Sequence, residues 1–118
     1  MPTSQETNKT VFRRYLVAFN DGDLDAFDDL VAPDYRNHNP SSPNPAPGPE
    51  GLKPIVHQLR EQAPELRFEE VQLVAEGDLV AAHLIVHGFG PEPVQQIQIE
   101  RFEDGRIVEH WRATGDGS

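Results

Sequence analysis

The chain has 118 residues and no cysteine, which allows one domain with a modest core and excludes disulfides and thiolate metal sites. Ten basic against twenty acidic residues give a formal net charge of -10, the wrong sign for a surface that binds nucleic acid or an anionic membrane. With 36% hydrophobic residues and no apolar run long enough for a leader or a span, a globular cytoplasmic protein is expected.

Val11, Tyr15 and Phe19 recur every four residues, with Phe12 and Leu16 beside them. That spacing predicts a helix from Gln5 to Asn20, broken by Asp21-Gly22. Asp23 is a good N-cap for a second helix carrying Leu24, Phe27, Leu30 and Val31, ended by Pro33. Tyr35-Arg36-Asn37-His38 reads as a short extended piece. Five prolines between Pro40 and Pro49 dictate an irregular loop, either a bystander or a lid. A third helix is expected from Gly51 to Gln62, with Leu52, Ile55, Val56 and Leu59 inward.

After Pro64 the period changes to two. Leu66 to Glu76 and Leu79 to His87 form a hairpin around Gly77-Asp78, and Val94 to Ala113 forms a second one around Glu103-Asp104-Gly105. On the first hairpin, Val71, Leu73, Ala75, Val80, Ala82, Leu84 and Val86 make one apolar face. Phe68, Val74 and Ile85 share the other with Gln72, His83 and His87. A three-residue loop pairs Phe102 with Arg106, so that His110 faces Gln98. Gln96, Gln98, Glu100, His110 and Arg112 then share a face, and Ile97, Ile99, Ile107, Trp111 and Ala113 share its reverse. Helices first and strands after mean an α+β fold, three helices on a curved antiparallel sheet of about four strands.

The Tyr-x-x-His-Asn-Pro segment, the Glu-Gly-Asp-Leu-Val turn and the closing Glu-Asp-Gly-Arg-Ile-Val-Glu-His-Trp hairpin resemble the SnoaL-like polyketide cyclases of the NTF2-like (cystatin-like) superfamily, from about Lys9 to Trp111. The resemblance implies a cone with a deep pocket between helices and sheet, dimers through the outer sheet face, and acid/base chemistry without a cofactor, such as intramolecular aldol cyclisation. In that family the residue after the His-Trp pair is typically an acid/base aspartate; here it is Arg112. A second polar pocket position is Gln98. Neither side chain exchanges a proton near neutral pH.

Histidine suits proton transfer at that pH. His110 and His38, with His83 at the side of the cavity, are the candidate acid/base groups. Arg112 and Gln98, with Tyr15 and Phe19 from the first helix, are the candidate substrate-binding groups. Alternatively, Arg112 is a surface residue paired with Glu100 or Asp116. No metal site is expected, because His83 and His87 stand about 13 Å apart along one strand. Trp111 is expected in the core or in a dimer interface. If the helices cover the face of His83, the apolar rows lie outside and need a second copy to cover them. A cofactor-free enzyme acting on a small, largely apolar or aromatic carbonyl compound by cyclisation, isomerisation or dehydration is the leading reading. A non-catalytic ligand-binding protein is the alternative, and an epoxide hydrolase the third.

Overall fold

The computed structural model describes residues 3–40 and 45–115. Most of the expected Pro-rich loop tip, the end of the tail and Asp116 therefore lie outside the described residues. Helix α1 (Ser4–Asp21) starts at Thr3, whose hydroxyl accepts from the Glu6 amide at 3.1 Å, half of a capping box. It ends at Gly22 (φ 70°), where the amides of Gly22 and Asp23 return to Phe19 and Ala18. That is a Schellman closure, and it needs the left-handed conformation that glycine adopts without strain.

The second helix is shorter than expected. A 3-10 turn at Leu24–Ala26 leads into a single turn of α2 (Phe27–Leu30), and the chain then becomes strand β1 (Val31–Asn37). Val31 is β-branched and Ala32 precedes proline, so both favour extended backbone. Pro33 is tolerated because β1 lies at the sheet edge, where a ladder donor is dispensable. The expected four strands are thus five: β1, β2 (Arg67–Glu76), β3 (Leu79–His87), β4 (Val94–Glu103) and β5 (Arg106–Thr114), in the order β1-β5-β4-β3-β2. The pair β1-β5 is parallel and the rest are antiparallel.

Helix α3 (Pro49–Gln62) follows β1 through the loop. The described end of that loop is tied down. The Gly48 amide donates to the Tyr35 carbonyl at 2.9 Å. A side chain at Gly48 (φ 77°) would meet the Pro33 carbonyl at 2.5 Å.

Two bulges correct the expected strand faces. One lies between Glu70 and Gln72. It turns Phe68 inward against Phe19 (ring centroids 4.8 Å apart) and leaves Val71 exposed, reversing the expected parity on that half of the strand. The other lies where β4 and β5 shift between Arg101 and Phe102. The turn is a two-residue Asp104-Gly105, both at positive φ (51° and 76°), as a type I′ hairpin requires. Phe102 therefore pairs with Ile107 rather than Arg106. Ile107 moves to the buried face, contrary to expectation.

The helices cover the face carrying Val80, Ala82, Leu84 and Val86, all buried. In the β3-β4 register Ala82 stands opposite Gln98 and Leu84 opposite Gln96. Directly opposed residues share a face, so the apolar row of β3 and the polar row of β4 look the same way. The expectation that His83 shares the polar face is overturned. His83 pairs with Ile97 on the outer side and meets Gln95 at 2.7 Å.

Asn20 ties α1 to the free edge of β2. Its side-chain amide donates to the Phe68 carbonyl at 3.0 Å and accepts from the Phe68 amide at 2.8 Å. Asn20→Ala leaves both backbone groups without partners in a half-buried seam. It should destabilise the protein by about 1–3 kcal/mol in chemical denaturation, with the slope unchanged.

Candidate active site

The inner sheet face carries three adjacent polar rows. Strand β4 contributes Gln96, Gln98 and Glu100, and β5 contributes His110 and Arg112. Glu100 pairs with His110 and Gln98 with Arg112 across the ladder. This is two residues away from the expected His110–Gln98 pairing, one residue from the shorter turn and one from the bulge. Strand β1 adds Asn37, alongside His110 in the parallel ladder. Two residues earlier, on the same face by alternation, is the buried Tyr35. Helix α1 supplies Tyr15 and Phe19, and α3 supplies Leu52, Ile55 and Leu59. Together with Phe68 these groups, Glu100 and Tyr35 excepted, line a small chamber of about 40 Å³, room for a water molecule or two. A wider space of about 370 Å³ lies beside it, lined by Tyr35, Arg36 and the loop residues Pro45, Ala46 and Pro47. Asn37, Leu52 and Ile55 border both.

The chemistry of the chamber centres on Glu100 and His110. Their side chains are 1% and 5% exposed, and Nδ1 of His110 lies 2.7 and 2.9 Å from the two carboxylate oxygens. Burial pushes the Glu100 carboxyl above its ordinary range, against the pull of His110, which favours the charged form. A carboxylate on Nδ1 fixes the imidazole tautomer and leaves Nε2 as the nitrogen that gains or loses a proton.

Around this pair lie groups with unmet hydrogen-bonding capacity. Among the described residues, the Tyr35 hydroxyl, the Arg112 Nε and the Gln98 Oε1 are buried without a partner. The Gln98 amide donates to Gln96 Oε1 at 2.7 Å, and Gln96 in turn donates to the Thr114 hydroxyl at 3.4 Å. Arg112 is fixed through its backbone amide, which donates to Asn39 Oδ1 at 3.0 Å. Its expected alternative partner Glu100 is taken by His110. Both Tyr15 and Tyr35 have phenol pKa values pushed well above the ordinary value, first by burial and then by nearby charge including Glu100. Each is a neutral donor at physiological pH.

The candidate histidines separate. His110 is in the chamber, with Gln98, Arg112, Tyr15 and Phe19. His83 is on the opposite sheet face. His38, expected at the pocket mouth, follows the end of β1. Its ring stacks on outward-facing Trp111 (4.7 Å, 6°) and its Nε2 meets Glu109 Oε2 at 2.8 Å. The alternation of β1 explains this: Tyr35 and Asn37 point in, so the next residue points out.

Sequence reasoning passed over Glu100 and Tyr35 as site residues. A signal for Glu100 existed. A lone carboxylate on a row with Gln96 and Gln98, under helices, needs a buried partner, and His110 and Arg112 are the basic side chains on that row. Asn37 and Tyr35 lie in the piece expected to be extended, but without its pairing to β5 nothing local shows which way they face.

The SnoaL-like domain family matches over residues 12–110. The chain belongs to this family. A curated relative, nogalonic acid methyl ester cyclase of Streptomyces nogalater, is 30% identical over 106 residues, 79% of each chain. TsrD of Streptomyces laurentii superposes with a TM-score of 0.80 at 26% identity, covering 92% of this chain and 88% of that one. IdmH of Streptomyces antibioticus, a candidate polyketide cyclase, gives 0.77 at 26% over 92% of each. The NTF2-like cone of the SnoaL-like polyketide cyclases is therefore the fold of this chain.

The raised Glu100 pKa sets a pH dependence. A carboxyl that holds its proton more tightly when folded stabilises the fold below its unfolded pKa, near 4.5. That contribution is lost as the pH rises through the higher folded value. Glu100→Gln removes the buried charge. Relative to the parent, the variant should gain stability as the pH is raised from about 4 to neutrality, measured by thermal melts across that range.

Proposed function

We propose that this protein is a cofactor-independent acid/base enzyme of the cyclase type, acting on a small, largely apolar or aromatic carbonyl compound. The observation that carries the reading is the buried Glu100–His110 pair, whose histidine lines the chamber. In the family the proton-transfer group is an aspartate after the His-Trp pair. Here Arg112 holds that position, and the proton-transfer role passes to His110. Its Nε2 takes the proton alpha to the substrate carbonyl while Glu100 stabilises the imidazolium that forms. Arg112 supplies fixed positive charge where the enolate oxygen develops, with Gln98 and Tyr15 as further polar contacts. Phe19, Leu52, Ile55 and Phe68 exclude water, which strengthens each of these interactions. The product-forming step is the attack of the resulting carbanion on a second carbonyl of the same molecule, with His110 returning the proton to the new alkoxide. No redox change occurs and no co-reactant is required.

The chamber is far smaller than the few hundred cubic ångströms a drug-sized ligand fills. Entry thus requires that it merge with the adjoining space, by movement of Asn37, Leu52 and Ile55. A non-catalytic binding protein is the second reading, favoured by Arg112 in place of the family's aspartate. Nogalonic acid methyl ester is the first substrate to try, given the relative's activity. His110→Gln should lower kcat about 100- to 10,000-fold, and Arg112→Ala should cost about 3 kcal/mol in transition-state stabilisation. Ligand binding that survives in the absence of turnover by either the parent or its variants supports the binding reading.

We also propose that two copies associate through the outer sheet face, as the family resemblance implies. Ile97 there is 44% exposed and Val74 62%, beside Ile85, Ile99 and Trp111. A contiguous apolar sheet face of this kind suits a two-fold pairing. Sedimentation of the parent protein should give a dimer, and Ile97→Glu a monomer.

A further inference from the structure

Tyr35 is unexplained by packing. Its ring is 3% exposed, a position phenylalanine would fill with the same apolar area and no polar atom to satisfy. Its hydroxyl is buried with no partner among the described residues, and Arg112 Nε is in the same condition. Tyr35 stands on the inner row of β1, beside the row of β5 that carries His110 and Arg112, and it lines the wider space next to the chamber. Its backbone is held firmly, since its carbonyl accepts from Gly48 at the foot of the loop. Glu100 and Arg112 both act on its phenol electrostatically, which puts it within the reach of that cluster.

We infer that Tyr35 is a substrate-binding residue, whose hydroxyl joins Arg112 Nε–H in holding the oxyanion of an enolate or phenolate ligand where the chamber opens into the adjoining space. The inference rests on the proposed acid/base site and adds a donor to it. Two donors from adjacent strands, one cationic and one neutral, match an oxygen that becomes charged during reaction. Neither donor has a protein partner among the described residues, and a ligand acceptor would supply one.

This origin gives Tyr35 a signature that a structural tyrosine lacks. Tyr35→Phe removes an unsatisfied buried hydroxyl, so the ligand-free variant should melt at the same temperature as the parent or higher. The same variant should bind 4-nitrophenolate, a coloured enolate mimic, about tenfold more weakly by calorimetric titration at a pH where the phenol is ionised. Its affinity for neutral nitrobenzene should not change. A Tyr35→Phe protein that melts earlier, or that binds the phenolate as the parent does, overturns the inference, and so does a parent protein that fails to bind it. Phenolate affinity lost in Arg112→Ala but untouched in Tyr35→Phe overturns the role of Tyr35 alone and leaves the oxyanion site standing. Turnover by His110→Gln reports separately on the acid/base reading.

Discussion

A carboxylate without access to water lies in the middle of this sheet, and the rest of the site depends on how it is accommodated. Isolated burial of Glu100 would cost several kcal/mol or force it to stay protonated. His110, at 2.7 Å, is what makes the position tenable. That contact exists only because the β4-β5 hairpin slips by two residues, one at its two-residue turn and one at its bulge. In the unslipped register, with Phe102 opposite Arg106, Glu100 would stand opposite Val108 and His110 opposite Gln98. The carboxylate would then be buried against an aliphatic side chain. The two-residue turn at Asp104-Gly105, the bulge and the buried Glu100–His110 contact are thus one feature. A local choice of turn conformation determines which groups meet in the chamber.

The same reasoning shows what was legible from sequence. Helices α1 and α3 and strands β2 to β5 follow from periods of 3.6 and 2, because their buried faces are continuous. Face assignments failed where a bulge changed the parity. Period-two logic cannot carry a face across an inserted residue, and nothing local marks Val71 as the residue left over. Strand β1 is legible as extended in its second half, from Tyr35, but its start resembles the end of a helix because Leu24, Phe27, Leu30 and Val31 have helical spacing. Its extended form depends on pairing with β5, a partner about 75 residues later in the chain, which local propensity cannot sense. Glu100 was the recoverable loss: its alternation with Gln96 and Gln98 was visible, and asking where a buried carboxylate finds a proton donor would have selected His110 and the slipped register together.

The inner face is divided along its strands. Toward the β4-β5 turn it is wholly apolar, with Phe102, Ile107, Val80 and Phe12 all buried. Toward the other end it carries the Gln, His, Arg and Tyr groups. The apolar end supplies the rigidity that holds the polar end in place, since close-packed cores resist displacement of their neighbours. Asn20 on the Phe68 backbone and Gly48 on the Tyr35 carbonyl pin the two sides of the polar end to the sheet. Unsatisfied buried groups are tolerated there because the surrounding framework fixes their positions.

Unmet hydrogen bonds alone do not distinguish a binder from a catalyst. Each costs about 1–3 kcal/mol in the empty protein, and a ligand that relieves them gains affinity whether or not it then reacts. The buried pair is the discriminating feature. A binding pocket that needs a polar contact can use an amide, as Gln96 and Gln98 already do, with no charge to bury. A carboxylate held against Nδ1 adds nothing to simple recognition that asparagine or glutamine would not supply more cheaply. It does stabilise an imidazole that becomes charged and neutral in turn, and it keeps the other nitrogen directed for proton exchange. A carboxylate in so dry a site therefore fits the proposed proton transfer better than passive binding.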